Sequence, residues 1–267
     1  MKISGKVVVV TGGANGIGQA LCEIFHREGA AKVVVADLDG ARAKIVADSI
    51  GGASFACDVG KESDILHVIN ETERQFGPID LFCSNAGIGG GFDMMSENAG
   101  GTSDEPWARS WAIHVMAHVY AARHLIPRMK ARGGGYFLNT ISAAGLLSQV
   151  GSAAYSTTKH AAVGFAENLA ISHKAHNIRV SILCPQGVET NMIRGMPKGP
   201  QSNDGNLTPE EVAQCALDGI DRETFLILPH PQVIDYMRKK TENYDRWIGG
   251  MAKLQAATRE MFGKLKT

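Results

Sequence analysis

Short runs of β-branched and other apolar residues alternate with longer amphipathic segments along most of the chain. Continuous apolar runs of this length are typical of strands buried on both faces. The pattern predicts seven strands, at residues 6–10, 32–37, 53–57, 80–84, 136–139, 179–183 and 225–228. Strands that alternate with helices predict a parallel, doubly wound sheet with right-handed crossovers. The predicted fold class is therefore α/β.

The segments between these strands have the periodicity of helices. We predict them at 17–28, 40–50, 61–76, 106–132 with a bend near Pro127, 152–176, from 208 onward, and 231–264. We see no internal repeat or interdomain linker, so we expect one domain over 1–267, with 231–267 as a helical C-terminal extension. This tail has three possible places: against the domain, on a neighbouring subunit, or over a pocket.

Composition excludes several classes of partner. Basic and acidic residues balance at 27 each, and no basic stripe would attract nucleic acid or a membrane surface. The longest apolar runs are of strand length, too short to span a bilayer. The N-terminus lacks the apolar segment and cleavage site of a signal peptide. Five scattered cysteines without CxxC spacing indicate reduced thiols, so we expect a cytoplasmic protein.

A glycine-rich turn, residues 11–18, joins the first strand to the first helix. Gly12, Gly16 and Gly18 would allow a ligand to approach the backbone closely. The helix that follows offers free N–H groups and the positive end of its dipole to a pyrophosphate. With an acid, Asp37, ending the next strand, this context predicts a dinucleotide site.

Asp37 bears on the choice of cofactor. A carboxylate here would accept hydrogen bonds from the adenosine ribose and repel a 2′-phosphate, which favours NAD over NADP. The first basic residue after it is Arg42. Asp37 could instead cap the next helix. Asp58, after the third strand, has a similar choice between the adenine amino group and the start of a helix.

The strongest candidate chemistry lies at Tyr155 and Lys159, four residues apart in a predicted helix. This spacing places both side chains on one face, where the ammonium would lower the pKa of the phenol. The pair would then act as a general acid and base near neutral pH. Ser142 ends the fifth strand, on the edge of the sheet where ligands bind. His114 and His118 have a zinc-like spacing but no third ligand, so we predict no metal.

Taken in order, these motifs resemble those of the short-chain dehydrogenase/reductase family, over roughly residues 5–230. The resemblance rests on TGxxxGxG at residues 11–18, NAG at 85–87, Ser142, YxxxK at Tyr155 and Lys159, and a Pro-Gly-type loop at 185–190.

The resemblance implies a seven-stranded Rossmann fold, usually in a homotetramer or homodimer. It also implies that Ser142 orients the substrate oxygen, that Tyr155 exchanges a proton with it, and that Lys159 binds the nicotinamide ribose and lowers the tyrosine pKa. Val188 and Thr190 would contact the carboxamide. The expected cofactor-binding residues are Gly12, Asn15, Gly16, Ile17, Gly18, Asp37, Asp58, Val59, Asn85, Ala86, Gly87, Tyr155, Lys159, Pro185, Gly187, Val188 and Thr190.

Two positions depart from the family pattern. His114 stands seven residues after Trp107, where the family usually has an asparagine that holds a water of the proton relay. The histidine could hold that water, take part in the relay with a titration near neutrality, or simply pack. Gln186 adds a side chain within the Pro-Gly motif, where it could alter nicotinamide contacts or substrate fit.

These observations favour an NAD-dependent oxidoreductase that interconverts a secondary alcohol and a ketone. The alternative is a non-catalytic NAD-binding sensor or assembly subunit. The loop at 86–106 is either a rim over the substrate pocket or a surface insertion. Apolar side chains in the segments near the pocket suit a bulky apolar substrate, although they could equally be packing residues. They are Phe92, Met94, Met95, Met192, Met196 and Trp247.

Overall fold

A computed structural model describes residues 1–91, 94–95, 98–194 and 199–264. Within these ranges it contains one sheet of seven strands in the order β3-β2-β1-β4-β5-β6-β7, and every neighbouring pair is parallel. The strands are β1 (Val7–Thr11), β2 (Lys32–Asp37), β3 (Ala53–Ala56), β4 (Leu81–Ser84), β5 (Gly135–Thr140), β6 (Ile178–Leu183) and β7 (Leu226–Ile227). The predicted doubly wound α/β fold is confirmed.

Ten α-helices connect the strands and complete the described part of the chain. They are α1 (Gly16–Arg27), α2 (Gly40–Ser49), α3 (Glu62–Phe76), α4 (Asp104–Trp111), α5 (Ala117–Ala131), α6 (Ala144–Leu147), α7 (Ala153–His173), α8 (Pro209–Asp221), α9 (Val233–Glu242) and α10 (Tyr244–Lys264). None of the described helices combines the length and apolar character needed to cross a bilayer.

The core lies on both faces of the sheet, because side chains alternate along each strand. In β1, Val8 and Val10 pack on one face with α1, α2 and α8. Val7 and Val9 pack on the opposite face with α3, α5 and α7. Each fully buried valine side chain contributes roughly 1.5–3 kcal/mol relative to its exposure to water. This two-sided burial explains the nearly continuous apolar runs in the sequence.

Two predicted helices differ in detail from the structure. The helix predicted at 106–132 begins at Asp104, and its geometry changes to a π-helix over Ala112–Met116 between α4 and α5. The predicted tail divides at Asn243, whose backbone is extended, into α9 and α10. Both changes bear on the site, since the π-helix carries His114 and α10 lies over the cavity described below.

The strand order places the site. The chain runs outward from β1 through β2 to β3, then returns to β4 on the other side of β1. In open α/β sheets, ligands bind in the crevice at the carboxyl ends of the strands where the order reverses. The residues that follow β1 and β4 therefore face each other across this crevice.

Candidate active site

Hydrogen bonds join the glycine turn to the segment after β4. The hydroxyl of Thr11 accepts hydrogen bonds from the backbone N–H groups of Asn85 (3.0 Å) and Ala86 (3.2 Å). It donates to the carbonyl of Cys83 at 3.2 Å. The Asn85 side chain donates in return to the carbonyl of Thr11 at 3.1 Å. These bonds fix the walls of the crevice before any ligand enters.

The glycines of the turn permit a close approach that a larger residue would prevent. Gly12 has a φ of +65°, and a Cβ there would lie 2.7 Å from the Cα of Ala86. A Cβ on Gly18 would overlap the carbonyl oxygen of Gly12 and lie 2.6 Å from the side-chain nitrogen of Asn85. The turn is therefore packed against its neighbours by backbone atoms alone.

Gly18→Ala is accordingly expected to destabilise the fold by about 1–3 kcal/mol through overpacking, and to weaken NADH binding with it. Gly164→Ala is the matched control, because Gly164 lies on the exposed face of α7 with no atom near its virtual Cβ. That helical substitution should stabilise by up to about 1 kcal/mol. Urea unfolding of both variants measures whether each substitution lowers or raises the free energy of unfolding. Equal stability of Gly18→Ala and the wild type would contradict the packing described here.

The N-terminus of α1 suits an anionic ligand. Asn15 precedes the helix without a side-chain capping bond, and the first turn contains no acidic residue. Free N–H groups at such an end bind phosphates. A cleft of about 200 Å³ lies beside it. Its lining includes Arg42, Arg194, Thr190 and Asn191, and also Glu23, Glu189 and Glu210. The uncapped turn and its glycines thus fit the pyrophosphate of a dinucleotide.

Asp37 supports the glycine turn. Its carboxylate accepts hydrogen bonds from the N–H groups of Ala14 and Asp39, each at 3.0 Å. The cap of α2 is Asp39, which accepts from the N–H of Arg42, so Asp37 does not have the capping role. The Arg42 side chain donates to the carbonyl of Ala14 at 2.8 Å and therefore reaches the same turn. Sequence spacing alone did not place Arg42 there.

The other adenosine-side candidates lie where the strands end. Asp58 follows β3 and accepts a hydrogen bond from the N–H of Gly60 at 3.0 Å, which shapes the turn before α3. It also forms an ion pair with Lys61, with the charged atoms 3.6 Å apart. Val59 is buried, and Ile17 packs against the core from the first turn of α1. The N-cap of α3 is Lys61, so Asp58 shapes the turn before the helix and does not cap it; its contact with adenine stays a prediction.

The structure brings Ser142, Tyr155 and Lys159 together. Ser142 lies just beyond β5, close enough to the Tyr155 side chain to act on its pKa. Its Oγ accepts from the N–H of Ala144 at 3.1 Å. The Lys159 Nζ lies 5.5 Å from the centre of the Tyr155 ring, one helical turn further along α7. The predicted shared face of the helix is thus present.

The predicted direction of the tyrosine pKa is wrong in this structure. Burial of its hydroxyl, although the ring is partly exposed, raises the pKa of Tyr155 above its ordinary value. The nearby Ser142 side chain opposes that rise without overcoming it. Burial also lowers the pKa of Lys159 to about 8, so the amine is still mostly charged at pH 7 and loses its proton above about pH 8. Desolvation disfavours the charged form of each group.

The buried amine of Lys159 has a cost in stability. Its pKa falls from an ordinary value of 10.5 to about 8 on folding, so the unfolded chain binds the extra proton between those pH values. Stability therefore rises with pH through this window, and the full penalty applies below about pH 8. Lys159→Met should raise the free energy of unfolding at pH 7 by up to about 3 kcal/mol while impairing activity.

This gain should shrink as the pH approaches 10.5, which urea unfolding at pH 7 and pH 9.5 would reveal. Lys130→Met, at an exposed position near the end of α5, is the matched control and should give no such pH-dependent gain. A Lys159→Met variant less stable than the wild type at pH 7 would show that the amine has partners that outweigh its burial.

Hydrogen bonds hold the ring of His114 in place, and the ring does not titrate near neutral pH. Its Nδ1 lies 3.0 Å from the hydroxyl of Thr158, and its Nε2 lies 3.2 Å from the N–H and 3.1 Å from the carbonyl of Ile88. The ring meets that of Tyr155 edge-on, with centroids 5.4 Å apart. Burial lowers the pKa of His114 to about 2, so of the three possible roles the structure does not support a titration near neutrality.

The neutral imidazole therefore connects its own helix to α7 and to the segment after β4. In either tautomer one ring nitrogen donates and the other accepts, and Thr158 and Ile88 complete both bonds. Gly87 lies between the two polar groups, since a Cβ there would be 3.7 Å from the Nζ of Lys159 and 3.9 Å from the Nε2 of His114. Thr158 was not a candidate from the sequence, because its partner is 44 residues away along the chain.

The loop after β6 closes the crevice from the opposite side. The carbonyl of Pro185 accepts from the N–H of Ala143, at 2.9 Å, and that of Gly187 accepts from the N–H of Leu207, at 3.1 Å. Val188 forms an isolated bridge with the same segment. Thr190 lies against the turn, since its Cγ2 would be 2.9 Å from a Cβ on Gly16. The candidate nicotinamide-side residues are thus placed beside the glycine turn.

A cavity of about 1020 Å³ opens next to Ser142 and Tyr155. Helix α10 contributes part of its lining. Of the three places considered for the C-terminal tail, the structure therefore shows the one over the pocket. The Arg259 side chain donates to the carbonyl of Met94 at 2.8 Å, which joins α10 to the loop after β4. The apolar lining includes Met94, Met95, Leu147, Val150, Met192, Ile193, Trp247, Met251, Leu254 and Phe262. Phe92 and Met196 lie outside the described residues.

Gln186, the second departure from the family pattern, contacts the substrate side of the site. Its side chain donates to the Asp204 carboxylate at 2.7 Å, and its N–H donates to His230 at 3.2 Å. The Tyr236 hydroxyl donates to the other carboxylate oxygen at 2.9 Å. Sequence reasoning did not find Asp204, because nothing in its loop marks it apart from the charge.

The described residues bring no three histidine, cysteine or acidic side chains into an arrangement that could hold a metal ion. His118 lies one turn beyond His114 but is buried, and burial lowers its pKa to about 3. The side chain of Asn139 on β5 lies beside it and opposes this fall in pKa. The two histidines therefore have separate structural partners.

Comparison with known proteins gives a consistent picture. The chain is 33% identical over 195 residues to the sex determination protein tasselseed-2 of Zea mays, covering 72% of this chain and 58% of that relative. It is 31% identical over 238 residues to a mitochondrial borneol dehydrogenase of Lavandula x intermedia, covering 88% and 90%. A Burkholderia phymatum short chain dehydrogenase/reductase, solved in complex with NAD, superposes with a TM-score of 0.79 at 26% identity, covering 92% and 96%.

The family model described as short chain dehydrogenase matches residues 6–200, which include the glycine turn, Ser142, Tyr155 and Lys159. With that match and the relatives above, the chain belongs to the short-chain dehydrogenase/reductase family of oxidoreductases.

Proposed function

We propose that the protein is an NAD-dependent oxidoreductase that interconverts a bulky, apolar secondary alcohol and the corresponding ketone. The observation that carries the proposal is the grouping of Ser142, Tyr155 and Lys159 at the edge of a large apolar cavity, beside a turn that suits a dinucleotide. The alternative of a non-catalytic sensor or assembly subunit leaves this grouping without a use.

Each side chain has a role that its surroundings support. When bound, the nicotinamide supplies the hydride acceptor or donor, and the protein supplies position and proton transfer. Ser142 donates a hydrogen bond to the substrate oxygen, where charge develops. Tyr155, which burial keeps protonated near neutral pH, gives its proton to that oxygen in reduction and takes it back in oxidation. Lys159 binds the nicotinamide ribose, and His114 holds the wall behind Tyr155.

The preference for NAD follows from Asp37. Its carboxylate lies at the end of β2 on the glycine turn, where a 2′-phosphate would meet a like charge. The Burkholderia phymatum neighbour was solved with NAD, which agrees with this choice. Arg42 on the same turn is the residue that could support NADP, so the two side chains are tested together below.

The substrate class follows from the cavity. A volume of about 1020 Å³ with methionine, aliphatic and aromatic side chains suits a bulky apolar molecule. The name of the lavender relative, a borneol dehydrogenase, agrees with such a substrate. By resemblance we also expect a homodimer or homotetramer in the cytoplasm, which light scattering and cell fractionation would test.

The direct test is a panel of cyclic and linear secondary alcohols and their ketones, assayed with NAD and NADP side by side. We expect NADH absorbance to rise with bulky apolar alcohols and to change little with short polar ones. Absence of turnover across the panel, with intact NADH binding, would favour the non-catalytic alternative.

A further inference from the structure

The large cavity has one charged side chain among its described lining residues, that of Asp204. Asp204 follows the short helical turn at Pro200–Ser202 and is partly buried. A carboxylate that faces an apolar space loses part of its hydration, which costs free energy unless partners replace the water. Its partners therefore indicate what the cavity is built to receive.

Two neutral donors hold the carboxylate, and no cation among the described residues compensates its charge. Gln186 donates to one oxygen at 2.7 Å, and Tyr236 donates to the other at 2.9 Å. A carboxylate has about four lone-pair sites, so acceptor capacity remains. Within the described ranges Asp204 takes part in no ion pair. Nearby His230 is kept neutral, because burial lowers its pKa.

The carboxylate also lies close to the reacting end of the cavity. Gln186 is the neighbour of Pro185, whose carbonyl accepts a hydrogen bond from Ser142 at 3.5 Å. Tyr236 lies on α9, at the start of the tail that covers the cavity. Asp204 is thus fixed between the wall that carries Ser142 and the tail, where a bound substrate would pass it.

We propose that Asp204 recognises a second polar group on the substrate, a hydroxyl or a protonated amine, and that the cavity disfavours carboxylates. The proposal rests on the proposed function and deepens it: the substrate is a bulky apolar alcohol or ketone with a hydrogen-bond donor away from the reacting carbon. An ammonium would add an opposite charge, whereas a carboxylate would meet a like charge.

The first experiment measures binding without turnover. Octan-1-amine and octanoate differ only in their charged end, and isothermal titration gives the affinity of the wild-type protein for each. We expect the amine to bind at least tenfold more tightly than the acid. Asp204→Asn should remove this preference, whereas Asp235→Asn, a nearby acid on α9 paired with Arg238, should keep it. Equal binding of the two probes by the wild type would overturn the proposal.

The second experiment measures turnover with NAD on four matched alcohols: decan-2-ol, decane-1,9-diol, 10-aminodecan-2-ol in its protonated form, and 9-hydroxydecanoate. Homologues with shorter chains would locate the best distance between the two groups. We expect kcat/KM to rank the amine and the diol above decan-2-ol and the carboxylate last. In Asp204→Asn, the ranking of the other three relative to decan-2-ol should collapse.

A purely structural role for Asp204 is tested by Tyr236→Phe, which removes one of its hydrogen bonds and keeps its charge. We expect Tyr236→Phe to retain the preference for the amine; loss of that preference to the same degree as in Asp204→Asn would overturn the assignment. Failures of the two proposals differ. If all four alcohols are oxidised without a ranking by end group, the proposed recognition by Asp204 is refuted and the proposed function is not. If the amine is bound in preference to the acid but no alcohol is oxidised, the alcohol dehydrogenase assignment is refuted and recognition by Asp204 is not.

Discussion

Tyr155→Phe is expected to reduce turnover by about a thousandfold, the scale of general acid–base catalysis, in both directions of the reaction. The substitution removes the hydroxyl and retains the ring, which packs edge-on against His114 with centroids 5.4 Å apart. The fold and the glycine turn should therefore be unaffected, and NADH should still bind. Stopped assays of alcohol oxidation and ketone reduction, together with NADH fluorescence titration, measure the two quantities separately.

The control for this variant is Tyr244→Phe, which removes a hydroxyl from a tyrosine that is 55% exposed at the start of α10. It should retain the wild-type rate. The pH profile adds a second check. Since burial raises the pKa of Tyr155, oxidation by the wild type should increase with pH as the phenol loses its proton, and reduction should decrease. Retention of at least a tenth of wild-type turnover by Tyr155→Phe would remove the proposed acid and base from the mechanism.

The local features of the site were predictable because they depend on short stretches of sequence. The glycine turn could be recognised from a strand before it and a helix after it. The spacing of Tyr155 and Lys159 determined that they share a helical face. In each case a local pattern fixes the geometry, and the strand order then brings the pieces to one edge of the sheet.

The features that were missed depend on burial or on contacts between distant segments. The spacing led us to expect that Lys159 would lower the pKa of Tyr155, but burial of the phenol raises it. The π-helix spans only Ala112–Met116 and hardly changes the hydrophobic pattern of the longer helix. The sequence therefore did not reveal the helix geometry around His114. Gln186 and Asp204 are 18 residues apart and meet only because two loops fold together.

These observations also explain how a neutral histidine can stand where the family has an asparagine. Both side chains can donate and accept a hydrogen bond at once. His114 uses this capacity to join Thr158 on α7 to Ile88 after β4. Because its pKa is lowered to about 2, its replacement would change geometry without removing a titrating group. In the proposed mechanism the acid and base chemistry then depends on Tyr155 and not on His114.

Asp37→Ser is expected to change cofactor preference by about a hundredfold or more toward NADP, because like charges brought together cost several kcal/mol. In the wild type the Asp37 carboxylate would face the 2′-phosphate, and we expect Arg42 on α2, whose side chain reaches the same turn, not to outweigh that repulsion. The Arg42 guanidinium lies 2.8 Å from the carbonyl of Ala14. Once the Asp37 carboxylate is removed, its charge no longer opposes the attraction of this guanidinium for the 2′-phosphate. The ratio of kcat/KM for the two cofactors, with one alcohol substrate, measures the change.

Two further variants make this test specific. Asp37→Ser with Arg42→Ala should lose the gained activity with NADP, since the guanidinium supplies the attraction. Asp39→Ser retains a good capping residue for α2 and should leave the wild-type preference for NAD unchanged. Thermal unfolding should accompany each assay, because Asp37 also accepts the hydrogen bond from Ala14 that shapes the turn. A wild-type protein that already uses NADP better than NAD would show that Arg42, and not Asp37, determines the choice of cofactor.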